Sequence, residues 1–294
     1  MDAGKLVPPP PIVAFALLAL ALVMTTNGSP ASRRVVVHGH RGARARFPEN
    51  TIPAFQYAIR AGADVLELDM AVTKDNVIVV SHDPILEPPV CTGPRAGAVI
   101  HELTLAEVKQ WDCGAVQNPR FPQQKTVPGT RMPTLDEVFA LAPGNKVEFN
   151  IETKIFADKP QYTPGPREFA QLVLDVVRKH RLEKRVILQS FDFRTLRAMK
   201  ELAPEIRLSA LVEKDDREFT DIARDAGGAG IVSAQFGLVT ASKTAAAHSA
   251  GLQVVPWTAN EPADWQRLVD AGADAIISDD PEALIEWLRR RGLR

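Results

Sequence analysis

Residues 38–83 read HGHRGARARFPENTIPAFQYAIRAGADVLELDMAVTKDNVIVVSHD, and this stretch decides the fold. The β-branched run at 35–37 leads into His38-Gly39-His40-Arg41-Gly42, a strand that stops where glycines let the backbone turn sharply. Asn50 or Thr51 then caps a helix, because Pro48 and Pro53 bracket its start and Ile52, Phe55 and Ile59 recur at helical spacing until Gly62 ends it. In a second strand at 64–72, side chains alternate so that Glu67 and Asp69 share one face. Only Thr73-Lys74-Asp75-Asn76 separates it from a third strand at 77–81, whereas a parallel crossover needs roughly a dozen residues. The third strand therefore returns antiparallel, as a hairpin. With a two-residue loop, either Lys74-Asp75 or Asp75-Asn76, His82 lies opposite Glu67 or Asp69 and joins them on one face; a three-residue loop without a bulge would not place it there.

After His82 the strand pattern stops. Residues 83–131 are rich in Pro and Gly, with one helical stretch at 103–111 that Thr104 caps. From Pro133 onward the alternation is regular: strands at 146–152, 185–189, 207–212, 230–233, 253–257 and 275–278 are interleaved with helices from 134–141 to 281–290. Strands alternating with helices imply parallel pairing, and nine strands less the hairpin arm leave the eight that close a (β/α)8 barrel. The expected fold is thus an α/β TIM barrel with a β-hairpin extension of strand 2 and an insertion at 83–131. That insertion is either a lid-like or substrate-binding element over the barrel mouth or a packing element.

The 294 residues suit one barrel, with 24% charged and 45% hydrophobic side chains, and a formal charge of -1 argues against nucleic acid as partner. Lys5 and the prolines at 8–11 precede an unbroken apolar run at 12–24 and the polar segment TTNGSPAS, the build of a secretory signal too short to span a bilayer comfortably. The expected organisation is a signal peptide at 1–31 and the barrel domain at 32–294. The protein would be periplasmic or secreted, with no stable membrane span once the signal is cleaved; an uncleaved anchor is the alternative. Cys91 and Cys113 both lie in the insertion, where a bond would close a loop of about 22 residues and contribute on the order of 3 kcal/mol, or they are two free thiols.

Barrel chemistry sits at the C-terminal ends of the strands, where His40, Arg41, Glu67, Asp69, Glu152, Lys154, Gln189, Trp257 and Asp279 fall. Glu67, Asp69 and Glu152 in one mouth would repel, each pair costing roughly 3 kcal/mol at about 5 Å and an effective dielectric near 20. One divalent cation removes that cost, and all-oxygen ligands favour Mg²⁺ or Ca²⁺. The alternative is a salt-bridge network with Arg41 and Lys154. His40 and His82 converge on the carboxylate face and can supply a base and an acid near neutral pH. The charge of Arg41 should lower the His40 pKa and make it the base, while a carboxylate opposite His82 should keep that ring protonated as the acid. His38, one layer deeper, reads as a core residue, and His101, His180 and His248 as surface or capping residues. Asp279-Asp280-Pro281 reads as the cap of the last helix, and Arg44 and Arg46 either extend a phosphate-attracting surface or are solvated.

HRGA, PENT, the ELD pair and VVSHD closely resemble, in order and spacing, the glycerophosphodiester phosphodiesterases. NIETK, LQSFD, VPWTAN and IISDDP resemble that family's remaining barrel strands, so the resemblance covers most of the chain after residue 34. It implies hydrolysis of a small-molecule glycerophosphodiester to glycerol 3-phosphate and an alcohol, with Glu67, Asp69 and Glu152 as metal ligands and Trp257 against the alcohol moiety. Arg41 and Lys154 are the cations a phosphodiester anion would need. A lipid-cleaving relative of the same barrel, such as a phospholipase D, is one rival. Another is a non-catalytic binding barrel, which would be expected to lack a histidine or carboxylate from this set. The oligomeric state stays open.

Overall fold

Eight parallel strands form the barrel in the computed structural model, which describes residues 1–7 and 34–294. The apolar run at 12–24 lies outside the described residues, and among those described no helix is long and apolar enough to cross a membrane. The chain divides between Ser32 and Arg33, and the second unit carries everything that follows.

The strands are β1 (Val36–Gly39), β2 (Val65–Val72), β3 (Ile78–Val80), β4 (Ile85–Leu86), β5 (Ala98–Val99), β6 (Glu148–Thr153), β7 (Val186–Ser190), β8 (Arg207–Val212), β9 (Ile231–Ala234), β10 (Gln253–Val254) and β11 (Ala275–Ser278). The barrel order is β10-β9-β8-β7-β6-β2-β1-β11. Backbone bonds from Asp274 N to Val254 O (2.9 Å) and from Ile277 N to Pro256 O (3.0 Å) bridge the remaining seam, where Pro256 has no N–H to return, so the barrel is nearly closed. Between strands run the expected helices, among them Ile52–Ala61, Pro166–His180, Phe193–Leu202 and Pro281–Arg289. Period-two alternation sorts the side chains. Leu66, Leu68 and Met70 of β2 pack outward with Phe55 and Phe149 in the strand–helix core, while Ile187, Ile231, Val255, Ala275 and Ile277 fill the barrel interior.

The hairpin exists, but its register differs from expectation. Met70 pairs with Val80 and Val72 with Ile78, and Thr73 N donates to Val77 O (3.0 Å), so the loop holds three residues, Lys74-Asp75-Asn76, with Asn76 at φ 59. Carried onward, that register would set His82 opposite Leu68 rather than a carboxylate. The ladder stops first: Ser81 N still bonds Asp69 O (3.0 Å), but Ser81 Oγ donates to Asp83 O (2.9 Å) and bends the chain, which brings His82 to the barrel mouth.

The insertion is not structureless. It contains the β4–β5 pair, a short helix Leu105–Val108 with a Thr104–Glu107 capping box, and a Cys91–Cys113 disulfide. Leu86, Ile100, Val108, Trp111 and both half-cystines pack on Ala71 and Val79, the outer face of the hairpin. None of its residues lines the cleft described below. Instead it buttresses the loop after β1: Gln124 Nε2 donates to Arg44 O (2.7 Å), and the Phe121 ring lies 5.0 Å from the Arg44 guanidinium.

Candidate active site

The loop after β1 can turn tightly only because of its glycines. A Cβ on Gly39 would stand 2.1 Å from Gly42 O, and Gly42 itself adopts φ 84 against the Ala54 backbone. That turn presents both the Arg41 N–H and the His40 ring to the ends of β2 and β11. Parallel register sets Asp69 beside Glu152, and alternation puts Glu67 one layer below. Glu67, Asp69 and Glu152 are 3%, 1% and 5% exposed, and each offers a carboxylate oxygen within 4.8 Å of the others'.

Every one of these carboxylates is held. Glu67 accepts from Arg41 N (2.9 Å) and Gln189 Nε2 (2.8 Å); Asp69 accepts from Asn50 Nδ2 (3.0 Å) and meets Lys154 Nζ (3.1 Å) and Arg41 Nε (3.3 Å). Lys154 Nζ also pairs with Glu152 (2.7 Å), and Arg41 with Glu49 (2.6 Å). The salt-bridge network is therefore present, but its charges do not balance. Glu49, Glu67, Asp69, Glu152 and Asp279 face Arg41, Arg44 and Lys154, five carboxyl groups against three cations. Burial first, and then the charge of Asp69, push the Glu67 pKa well above the usual carboxylate range; burial also raises Glu152 against the pull of Lys154. For Asp69 burial acts the same way, but Lys154, Arg41 and His82 outweigh it and hold the group well below that range. Buried carboxyl groups in surplus over their cations, whose charges burial and mutual repulsion disfavour, form an all-oxygen donor set that fits one hard divalent cation.

His40 is 8% exposed, its Nδ1 lies 2.5 Å from Asp279 Oδ1, and its Nε2 is 3.9 Å from Glu67. Burial chiefly, and then the Arg44 guanidinium, lower its pKa to about 4 against the opposing pull of Asp279, while the charge of Arg41 is a minor contributor. The expectation that Arg41 sets the His40 pKa is thereby corrected, although the direction is unchanged. His82 lines the same cleft with its Nδ1 2.8 Å from Asp83 Oδ1, so its bonded carboxylate is its sequence neighbour rather than one across the hairpin. Asp279 is not the helix cap: Asp280 accepts from Ala283 N, whereas Asp279 bonds His40, Arg44 Nε (2.6 Å) and Asn260 Nδ2 (2.8 Å). Its period-two spacing from Ala275 and Ile277 was the available signal. Asn50 likewise serves Asp69, while Thr51 caps the first helix.

Arg44 lines the cleft, Arg46 pairs with Asp280, and Trp257 reaches the cleft with its Nε1 donating to Ser233 O (2.8 Å). His38 is 2% exposed in the core below, with Asn150 Nδ2 3.4 Å from its Nδ1. The cleft of about 300 Å³ thus gathers His40, Arg41, Glu67, Asp69, His82, Glu152, Lys154, Gln189 and Trp257, with Asp279 bonded to His40 just outside its lining.

Residues 40–283 match the model of the glycerophosphoryl diester phosphodiesterase family. The chain belongs to this family. Glycerophosphodiester phosphodiesterases are phosphoric diester hydrolases, and so is this member. It is 32% identical over 259 residues to the glycerophosphodiester phosphodiesterase of Caldanaerobacter subterraneus subsp. tengcongensis, covering 88% of this chain and 100% of that one. A crystal structure of a putative glycerophosphoryl diester phosphodiesterase from Silicibacter pomeroyi superposes with TM-score 0.81 at 30% identity, over 88% of this chain and 95% of that one. At 23% identity and TM-score 0.74, over 86% of this chain and 96% of the other, an Oleispira antarctica phosphodiesterase in complex with its product sn-glycerol-3-phosphate shares the barrel fold.

Proposed function

We propose that this glycerophosphodiester phosphodiesterase releases glycerol 3-phosphate and an alcohol using one divalent cation, Mg²⁺ or Ca²⁺, held by Glu67, Asp69 and Glu152, with His40 as base and His82 as acid. The observation that carries the reading is the placement of three buried carboxylates, two histidines and the Arg41–Lys154 pair around one cleft. When bound, the cation supplies positive charge where the phosphoryl oxygens gain negative charge. Nδ1 of His40 is held on Asp279, which fixes the ring so that Nε2 can take the proton of an attacking water. The low pKa keeps that nitrogen unprotonated at neutral pH, and Asp279 then stabilises the imidazolium that forms. His82, with Nδ1 on Asp83, has its other nitrogen available to protonate the departing alkoxide. Arg41 and Lys154 balance the phosphodiester charge, and Trp257 offers the alcohol an apolar wall. The glycerol 3-phosphate held by the Oleispira relative supports the choice of product.

Metal-stripped protein assayed on glycerophosphocholine decides the reading. Release of glycerol 3-phosphate should be lost with chelator and restored by Mg²⁺ or Ca²⁺, and Glu67→Gln, Asp69→Asn or Glu152→Gln should weaken calorimetric metal binding with the fold intact. Undiminished turnover after chelation would remove the metal from the mechanism; no glycerol 3-phosphate under any condition would remove the reaction. Export to the periplasm or medium through residues 1–31 belongs to the same proposal, supported by the apolar run at 12–24 and by the Cys91–Cys113 bond, which suits an oxidising compartment.

A further inference from the structure

The cleft has two chemically different halves. One, built from β1, β2 and β6, carries the histidines, cations and carboxylates already described; the other, built from the ends of β7, β8 and β10, consists of Phe191, Leu211, Glu213 and Trp257. In that second half the Phe191 and Trp257 rings stand nearly perpendicular, centroids 5.5 Å apart at 83°, and form two walls of a corner. The Trp257 ring is fixed by its bond to Ser233 O, and Phe191, although large and apolar, is 45% exposed. Ser209 and Leu211 of β8 face inward, and Glu213, in the bend just past the end of that strand, lines the same half of the cleft with its carboxylate.

Glu213 is poorly neutralised. Its ion pair among the described residues, with Lys214 Nζ, spans 4.0 Å, and Lys214 is 88% exposed. Beyond Phe191 the surface does carry Arg194, Arg197 and Arg217, but each is engaged: Arg194 on Asp192, Arg217 on Asp215 and Asp225, and Arg197 on Asp225 O. Lys154 Nζ lies 5.8 Å from the Phe191 ring centroid but is paired with Asp69 and Glu152, and the three arginines are matched in number by Asp192, Asp215 and Asp225, so Glu213 is the weakly paired charge on this side. Two aromatic walls and a carboxylate at the rim are what a quaternary or primary ammonium recognises, through the ring faces and through Coulomb attraction.

We propose that Phe191, Trp257 and Glu213 form a subsite for a positively charged alcohol and that Glu213 sets the preference among alcohols. This rests on the hydrolase reading above, in which the non-glycerol arm of the diester occupies the aromatic half. The test measures kcat/KM on glycerophosphocholine, glycerophosphoethanolamine and glycerophosphoglycerol for the wild type, Glu213→Gln and Glu213→Lys. The wild type should favour the two cationic substrates. Glu213→Gln should lower the choline-to-glycerol ratio of kcat/KM by about fivefold, as expected for a partly exposed charge pair, and Glu213→Lys should lower it further. An unchanged ratio in both variants overturns the subsite. Calorimetric titration with choline chloride separates this result from failure of the hydrolase reading: should the wild type hydrolyse no glycerophosphodiester, choline binding that Glu213→Gln abolishes still supports the subsite, whereas equal binding, or none to either protein, overturns it.

Discussion

Asp279→Asn removes one charge and almost no volume, which makes it the sharpest probe of how His40 works. The carboxylate lies 2.5 Å from His40 Nδ1 and 2.6 Å from Arg44 Nε, with Asn260 on its second oxygen. If His40 accepts a proton during turnover, the transition state develops imidazolium character beside that carboxylate. At about 3 Å and an effective dielectric near 20, a full unit charge on each group would be worth about 5 kcal/mol. Proton transfer is partial in the transition state, and Arg44 already draws on the same carboxylate, so about 3 kcal/mol is the better expectation, or roughly a hundredfold in kcat. Arg44, deprived of its partner, would oppose the imidazolium as well. The assay is kcat on glycerophosphocholine and on a nitrophenyl phosphodiester, with the melting temperature measured to establish folding. A base is needed for both substrates, so the loss should be similar on both. A folded variant losing less than about threefold would refute the His40–Asp279 argument, because a charge at 2.5 Å in a buried site cannot be that weakly coupled to a titrating ring. A loss confined to glycerophosphocholine would make His40 the acid instead.

His82→Ala should lose far more activity on glycerophosphocholine than on the nitrophenyl diester, whose leaving group departs without a proton; equal losses on both would argue against His82 as the acid. Mass measurement of the native exported protein should show a start near Ser32 and a gain of two hydrogens on reduction, since Cys91 and Cys113 are bonded; an intact Met1 would refute cleavage. At the opposite end of the barrel, Asp64 bonds Arg294, Val37 N (2.8 Å) and Arg34 (2.5 Å); burial raises its pKa, but Arg294 and these partners outweigh it and hold the group below its ordinary value. The stability that a depressed carboxylate contributes is present above its unfolded pKa and is lost as pH falls through the folded one. Asp64→Asn should therefore cost about 2 kcal/mol at pH 7, mostly through the shielded Arg294 contact, and the gap in melting temperature to wild type should narrow in acid; a gap independent of pH would refute this linkage.

The parts of this site that could be read from the sequence are those set by short spacing, and the parts that could not are those set by contacts across the barrel. Glu67 and Asp69 share a face because two residues separate them on a strand, and no later folding event can change that. Eight strands follow from the alternation of periods, and the helix cap at Thr104 from its place at the start of the helical stretch in the insertion. The hairpin register was legible only up to the loop. One residue more in the loop reverses every side chain beyond it, and nothing in Lys74-Asp75-Asn76 shows that Asn76 takes the left-handed conformation that makes a three-residue loop. His82 reaches the cleft all the same because its strand ends at Val80, two residues before it, and the chain bends at Ser81, so the expected position was right and the reason given for it was not. Asp279 is legible as a residue of the barrel mouth, but its bond to His40 escaped for the opposite reason. Asp-Asp-Pro offers two acids for one cap, and choosing between them requires the pairing of β11 with β1, which sets Ser278 beside Gly39 and so Asp279 beside His40. The same pairing explains the His40 pKa. A neighbour in sequence, Arg41, is turned toward Glu49 and Asp69 and matters little, whereas Arg44, swung back over Asp279 and buttressed by Phe121 and Gln124 of the insertion, matters more. The insertion therefore touches the site from outside the cleft, by holding the loop whose arginine bonds Asp279 beside His40.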